Sequence, residues 1–143
     1  MLRGMATTTY YADDLETARE WYADLLGLEP YYQVPGGYYE FRIGDHQHEL
    51  GIINRAYAPA AARNTPGAGG TVYWHVDDLE ATVARLLAKG ATEHEPITAH
   101  GDGEGFVTAS VIDPFGNLLG VMTNPHYLAI VARTGAVTAG DTV

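Results

Sequence analysis

The chain contains no cysteine. That excludes disulfides, thiolate metal sites and cysteine nucleophiles, although it does not fix a compartment. Basic residues are scarce: 8 Lys and Arg stand against 18 Asp and Glu, for a formal net charge of -10 at pH 7. No basic stripe forms, and an acidic chain repels phosphate backbones, so nucleic acid is not expected as a partner. Long apolar runs are also missing. No stretch approaches the ~20 residues that a membrane span needs. The opening MLRGMATTTYYADD lacks the apolar run of a signal peptide. A membrane partner is therefore not expected, and a cytoplasmic location is. Met5 can serve as the start, because residues 1–4 add little to the pattern that follows.

What is present suffices for a core. Hydrophobic residues fill 46% of 143 positions, which suits a single folded domain. Within it the chain repeats itself. DDLE stands at Asp13–Glu16 and returns sixty-four residues later at Asp77–Glu80. A β-rich run of Thr, Tyr, Val and Trp precedes each copy, at 6–12 and 71–76. An amphipathic helix follows each copy. Leu15, Ala18, Tyr22, Leu25 and Leu26 mark the first at steps of three and four, and Leu79, Val83, Leu86 and Leu87 mark the second. Asp13 or Asp77 is expected to cap free N–H groups, with the Glu three residues on closing a capping box. Gly27 and Gly90 are expected as left-handed C-caps.

Each helix is followed by three strand signals. In the first half they cover 29–34, 38–43 and 49–53, with turns at Gly36-Gly37 and Gly44-Asp45. In the second they cover 92–98, 106–112 and 117–122, with turns at 100–105 and at Asp113-Pro114-Phe115-Gly116. The predicted architecture is α+β: two tandem βαβββ modules, 5–53 and 71–123, forming curved mixed sheets around a cavity. Residues 54–70 read as a linker and 124–143 as a tail. Within the tail, 126–132 fit a short helix or a strand, and 134–143 look loose. One module cannot cover both faces of its sheet, so the faces turned away from the helices are expected to line the cavity.

The stretches DDLETAREWYADLLGLEP and IDPFGNLLGV carry a resemblance to the vicinal oxygen chelate superfamily over roughly residues 5–123. That group includes glyoxalase I, extradiol dioxygenases, fosfomycin-resistance enzymes and bleomycin-binding proteins. The resemblance implies four metal ligands, one on the first and one on the last strand of each module. The first-strand positions fall on Thr7 and Thr71, where His is common. The last-strand position of module two falls on Gly120, where an enzyme would show Glu. In module one, family alignment gives Glu49, whereas matching HELGI to NLLGV gives Gly51. Both share a face, because strand side chains alternate. Threonine is a weak neutral ligand and glycine offers none, so no metal and no cofactor is expected.

Other residues could rebuild a site. His46, His48 and Glu49 look metal-like, but the favoured reading is a polar turn on the surface. His94, His100 and His126 read as solvated positions near loops or strand ends. Gly101–Gly105 carries only two carboxylates, too few for a calcium loop. The ten tyrosines, with pairs at 10–11, 31–32 and 38–39, should place one ring of each pair on each sheet face. They serve either as ligand walls or as sheet and dimer contacts.

The register that sends Thr8, Tyr10, Ala12, Val72, Trp74 and Val76 under the helices sends Thr7, Thr9, Tyr11, Thr71, Tyr73 and His75 into the cavity. Glu49, Gly120 and Met122 join them from the last strands. These nine are the expected ligand-binding residues, with His75 and Glu49 as acid/base candidates. The leading expectation is metal-free binding of a small organic molecule, aromatic or antibiotic-like, by a homodimer. The competing one is a lyase, isomerase or dioxygenase, metal-free or with a displaced metal site. A third is an accessory protein with a vestigial cavity.

Overall fold

The computed structural model describes residues 1, 3, 5–58, 66, 70–101 and 105–135. Most of the expected linker, the centre of the 101–105 turn and the tail beyond 135 lie outside these residues. The elements run β1 (Thr7–Ala12), α1 (Leu15–Leu26), β2 (Tyr32–Val34), β3 (Tyr38–Ile43), β4 (His48–Asn54), then β5 (Val72–His75), α2 (Leu79–Ala88), β6 (Thr92–His100), β7 (Phe106–Ile112), β8 (Leu118–Thr123) and α3 (Pro125–Thr134). A single 3-10 turn at Arg55–Tyr57 follows β4.

The first unit holds a four-stranded sheet in the order β1-β4-β3-β2, and the second an equivalent sheet in the order β5-β8-β7-β6. In each, the first strand runs parallel to the last and the remaining pairs are antiparallel. These are the two α+β mixed-sheet modules that the repeat predicts. Parallel pairing of β1 with β4 requires a long crossover, and α1 with the β2-β3 hairpin supplies it.

In module one the helix face is set by alternation. Tyr10, Ala12, Phe41, Leu50 and Ile52 are buried on it, beneath Leu15, Ala18 and Tyr22 of α1. The Tyr10 and Tyr22 rings meet at 5.8 Å. In module two Trp74 shares its face with Leu119 and Val121 through β5–β8 pairing, as predicted. Trp74 is only half-buried, however, and Leu87 is exposed off the α2 stripe.

The helix starts differ by one residue from the sequence reading. The second Asp of each DDLE is the N-cap: Asp14 accepts from the Thr17 N–H and Asp78 from the Ala81 N–H. Helix geometry begins at Leu15 and Leu79, which places the cap one residue later. Glu16 is thereby released and accepts from the Tyr39 hydroxyl at 2.5 Å, tying α1 to β3. Gly27 is the left-handed C-cap of α1, whereas α2 ends on Lys89 with Gly90 one residue beyond. The β7–β8 turn closes on Asp113, whose carboxylate accepts from the N–H groups of Phe115 and Asn117. Residues 126–132 are helical, within α3, which Asn124 caps and Gly135 ends.

Candidate functional site

The open face of module one, opposite α1, collects the polar residues. From β1 it receives Thr7, Thr9 and Tyr11, and from β4 Glu49, Gly51 and Ile53, paired in that order. From β3 it receives Tyr38, Glu40 and Arg42, which stand across from Ile53, Gly51 and Glu49. Thr7 donates its hydroxyl to Glu49 Oε2 at 2.8 Å, and Arg42 Nη2 donates to Glu49 Oε1 at 3.4 Å. Both oxygens of that carboxylate are therefore engaged. The Arg42 guanidinium also stands over the Tyr31 ring, 4.8 Å from its centre.

Beside this group Glu40 accepts from the hydroxyls of both Tyr31 and Tyr38. Burial holds the Glu40 carboxyl above the usual carboxylate range, and the nearby Glu49 adds to the rise while Arg42 opposes it. The Tyr38 phenol is likewise raised, first by burial and then by Glu49 and Tyr32. The Tyr32 and Tyr38 rings meet edge to face at 6.3 Å. The site thus joins two carboxylates, one guanidinium, a hydroxyl and three phenols.

Of the sequence candidates, Thr7 and Glu49 come together, with Thr9 and Tyr11 along the same face. Glu40 and Arg42 escaped the sequence reading, and Tyr31 and Tyr38 entered it only as members of tyrosine pairs. The alternation of 38, 40 and 42 against buried Tyr39 and Phe41 is the signal that marks three of them. The Tyr10–Tyr11 and Tyr38–Tyr39 pairs split between faces as expected. Tyr31 lies just outside β2, escapes the alternation, and reaches the same site as Tyr38.

In module two Tyr73, His75, Gly120 and Met122 share the open face, with Tyr73 opposite Gly120 and His75 opposite Met122. Thr71 is exposed just before β5. The His75 side chain is only 8% exposed. Its Nδ1 accepts from the Asn124 N–H at 3.1 Å, and its ring stacks on Tyr127 of α3 at 4.8 Å. Its Nε2 stands 3.4 Å from Asp77 Oδ1 without an aligned hydrogen bond. His75 therefore anchors the start of α3. His94 and His100, read from sequence as solvated, are exposed, and they also meet the hydroxyls of Ser110 at 3.0 Å and Thr108 at 2.7 Å. Strand β6 extends to His100 and pairs with β7 at both of its ends, with register shifts between Glu93 and Glu95 and between Glu95 and Thr98.

Cross-strand register settles which last-strand residues correspond. Gly51 lies opposite Thr9, and Gly120 lies opposite Tyr73, sixty-four residues after Thr9. Gly51 and Gly120 are thus the equivalent pair, and Glu49 sits one pleat earlier on the same face. The donors at the four family positions are then two threonine hydroxyls and no side chain at the two glycines. Glu49 is engaged by Arg42, and His48 points to the opposite face. Among the described residues no three His, Asp or Glu side chains stand close enough to hold a metal ion. This donor set does not fit a divalent metal. Among the described residues no helix is long and apolar enough to cross a membrane.

No curated protein matches the chain in sequence. Solved structures do. A glyoxalase-related enzyme from Fulvimarina pelagi superposes with a TM-score of 0.67 at 19% identity, covering 87% of this chain and 90% of its own. A lactoylglutathione lyase from Agrobacterium tumefaciens gives 0.61 at 24% identity, covering 89% and 98%. A glyoxalase/bleomycin resistance protein from Albidiferax ferrireducens gives 0.60 at 23%, covering 83% and 98%. At these identities the likeness is one of fold. The sequence profile of one family matches residues 4–121, and the chain belongs to the Glyoxalase/Bleomycin resistance protein/Dioxygenase superfamily.

Proposed function

We propose that this chain is a metal-independent binding protein for a small organic molecule, taken up on the open face of module one. The observation that carries the reading is the pairing of Thr7 with Glu49 and of Glu49 with Arg42. These groups neutralise and orient the carboxylate without a metal, beside the phenols of Tyr31 and Tyr38. A few convergent polar groups set among aromatic rings are what a small-molecule site requires. The test is metal analysis of protein from unsupplemented growth, together with ligand screening of the native chain and Glu49→Gln. Metal-free protein whose ligand affinity drops in Glu49→Gln supports the reading. Stoichiometric Ni, Zn, Mn or Fe overturns it.

One observation favours an enzyme instead. A carboxyl held above its usual range by burial, as Glu40 is, beside the phenols of Tyr31 and Tyr38, is a candidate for general acid/base work. The family's lyases and isomerases give that reading a precedent in fold only. Turnover of a found substrate that disappears in Glu40→Gln but persists after chelation would establish it. The working unit we propose is a cytoplasmic homodimer. A solution mass of 15.4 kDa by light scattering would exclude the dimer.

A further inference from the structure

Two glycines that replace family metal ligands are both covered by a tyrosine ring. A methyl group added at Gly51 would stand 2.5 Å from Tyr38 Cε2 and 2.6 Å from its hydroxyl oxygen. One added at Gly120 would stand 2.6 Å from Tyr73 Cδ1 and 2.9 Å from Cε1. Any side chain at these positions, a metal-binding Glu included, requires the ring to leave. The contacts are not copies of one another. Tyr38 reaches Gly51 from β3, whereas Tyr73 reaches Gly120 from β5. Different strands fill the same place in each module.

We infer that the metal position of this fold has become an aromatic platform in both modules, and that the module-one platform takes a flat organic cation. The class of ligand is an amidinium or a guanidinium, planar and charged at neutral pH. The inference rests on the metal-independent binding proposed above and names its ligand.

The charge follows from what surrounds Tyr38. Glu40 and Glu49 face it, against the cation of Arg42. The shape follows from Arg42 itself. Its planar guanidinium already meets both the Tyr31 ring and the Glu49 carboxylate, and its hydrogen bonds are long, Nη2 to Glu49 at 3.4 Å and Nη1 to the Gln47 carbonyl at 3.3 Å, on a side chain that is nearly half exposed. A planar ligand cation entering there exchanges one guanidinium-like group for another, so Glu49 never loses its counter-charge. It also gains the Tyr38 ring as a surface, and rings attract cations through their negative faces. A compact ammonium gains less, because it cannot lie flat and stays strongly hydrated.

The experiment is calorimetric titration of the full chain with three probes. Benzamidine is flat and cationic, cyclohexylamine is cationic but not flat, and benzoate is flat but anionic. Benzamidine should bind saturably and at least about tenfold more tightly than either control. Tyr38→Leu should cost about tenfold in benzamidine affinity, and Tyr38→Phe, which keeps the ring, should cost much less. Circular dichroism and thermal midpoints show that the variants are folded. Absence of benzamidine binding, equal binding of cyclohexylamine, or unchanged affinity in Tyr38→Leu overturns the platform. Those outcomes leave metal-independent binding standing if another organic ligand still shifts the resonances of Thr7 and Glu49. Stoichiometric metal in the purified protein removes that broader reading instead.

Discussion

Alanine at the two covered glycines is expected to act through the rings and not through the backbone. Neither Gly51 nor Gly120 has a positive φ, so alanine is conformationally acceptable at both. It even recovers part of the entropy that glycine loses on folding, about 0.5–1 kcal/mol. At Gly51 the nearest atoms belong to the far end of the Tyr38 ring, which can swing aside. The loss is chiefly its hydrogen bond to Glu40, about 0.5–1.5 kcal/mol net for this part-buried pair. At Gly120 the nearest atoms include Tyr73 Cγ at 3.0 Å, close to the root of the side chain. The whole side chain must change rotamer, or the strand must shift, which costs about 1–3 kcal/mol. Gly120→Ala should therefore be the more destabilising of the two in urea unfolding followed by circular dichroism. The decisive comparison is a double-mutant cycle. Once Tyr73→Ala has removed the ring, Gly120→Ala should cost nothing further, a coupling of about 1 kcal/mol or more. Simple additivity in Gly120→Ala/Tyr73→Ala would refute the claim that the ring occupies the glycine's space.

Tyr22, fully buried on Tyr10, should cost about 3–5 kcal/mol as Tyr22→Ala, whereas half-buried Trp74→Ala should cost clearly less; thermal unfolding of both variants checks the order. Asp14→Ala and Asp78→Ala should each cost about 1 kcal/mol as lost N-caps, and Asp13→Ala, the exposed partner of a mostly buried Arg55, should cost under about 1 kcal/mol; chemical unfolding reads the difference. Because Glu40 has a raised folded pKa, its stabilising contribution is present below the usual carboxylate value of 4.5 and is lost as pH rises through the folded one. The stability of the native chain relative to Glu40→Gln should then fall as pH rises through that range, and a flat or rising difference in urea midpoints would contradict the assignment. His75→Phe keeps the stack on Tyr127 but loses the acceptor for the Asn124 N–H, so hydrogen exchange should speed up at the start of α3.

Sequence by itself determined the repeat, the α+β modules, the strand turns and the face that each strand residue takes. These are local or periodic properties, written in caps, glycines and alternation of two. Tyr10 and Ala12 fall under α1 for that reason, and Thr7 with Glu49 fall on the open face. The cap shift from Asp13 to Asp14 was beyond that reading, because both aspartates fit the motif and only helix geometry chooses between them. Tertiary structure alone decided which strands pair and in what register. Register made Gly51, and not Glu49, the counterpart of Gly120 in its own module, and it brought Arg42 across from Glu49. It also laid Tyr38 and Tyr73 over glycines that sequence could show only as missing ligands. His75 illustrates the limit from the other side: alternation placed it on the open face, but its role in holding α3 depends on Asn124 and Tyr127, about fifty residues away. Such pairings are set by the summed burial of whole sheet faces, and no single stretch of sequence carries that information.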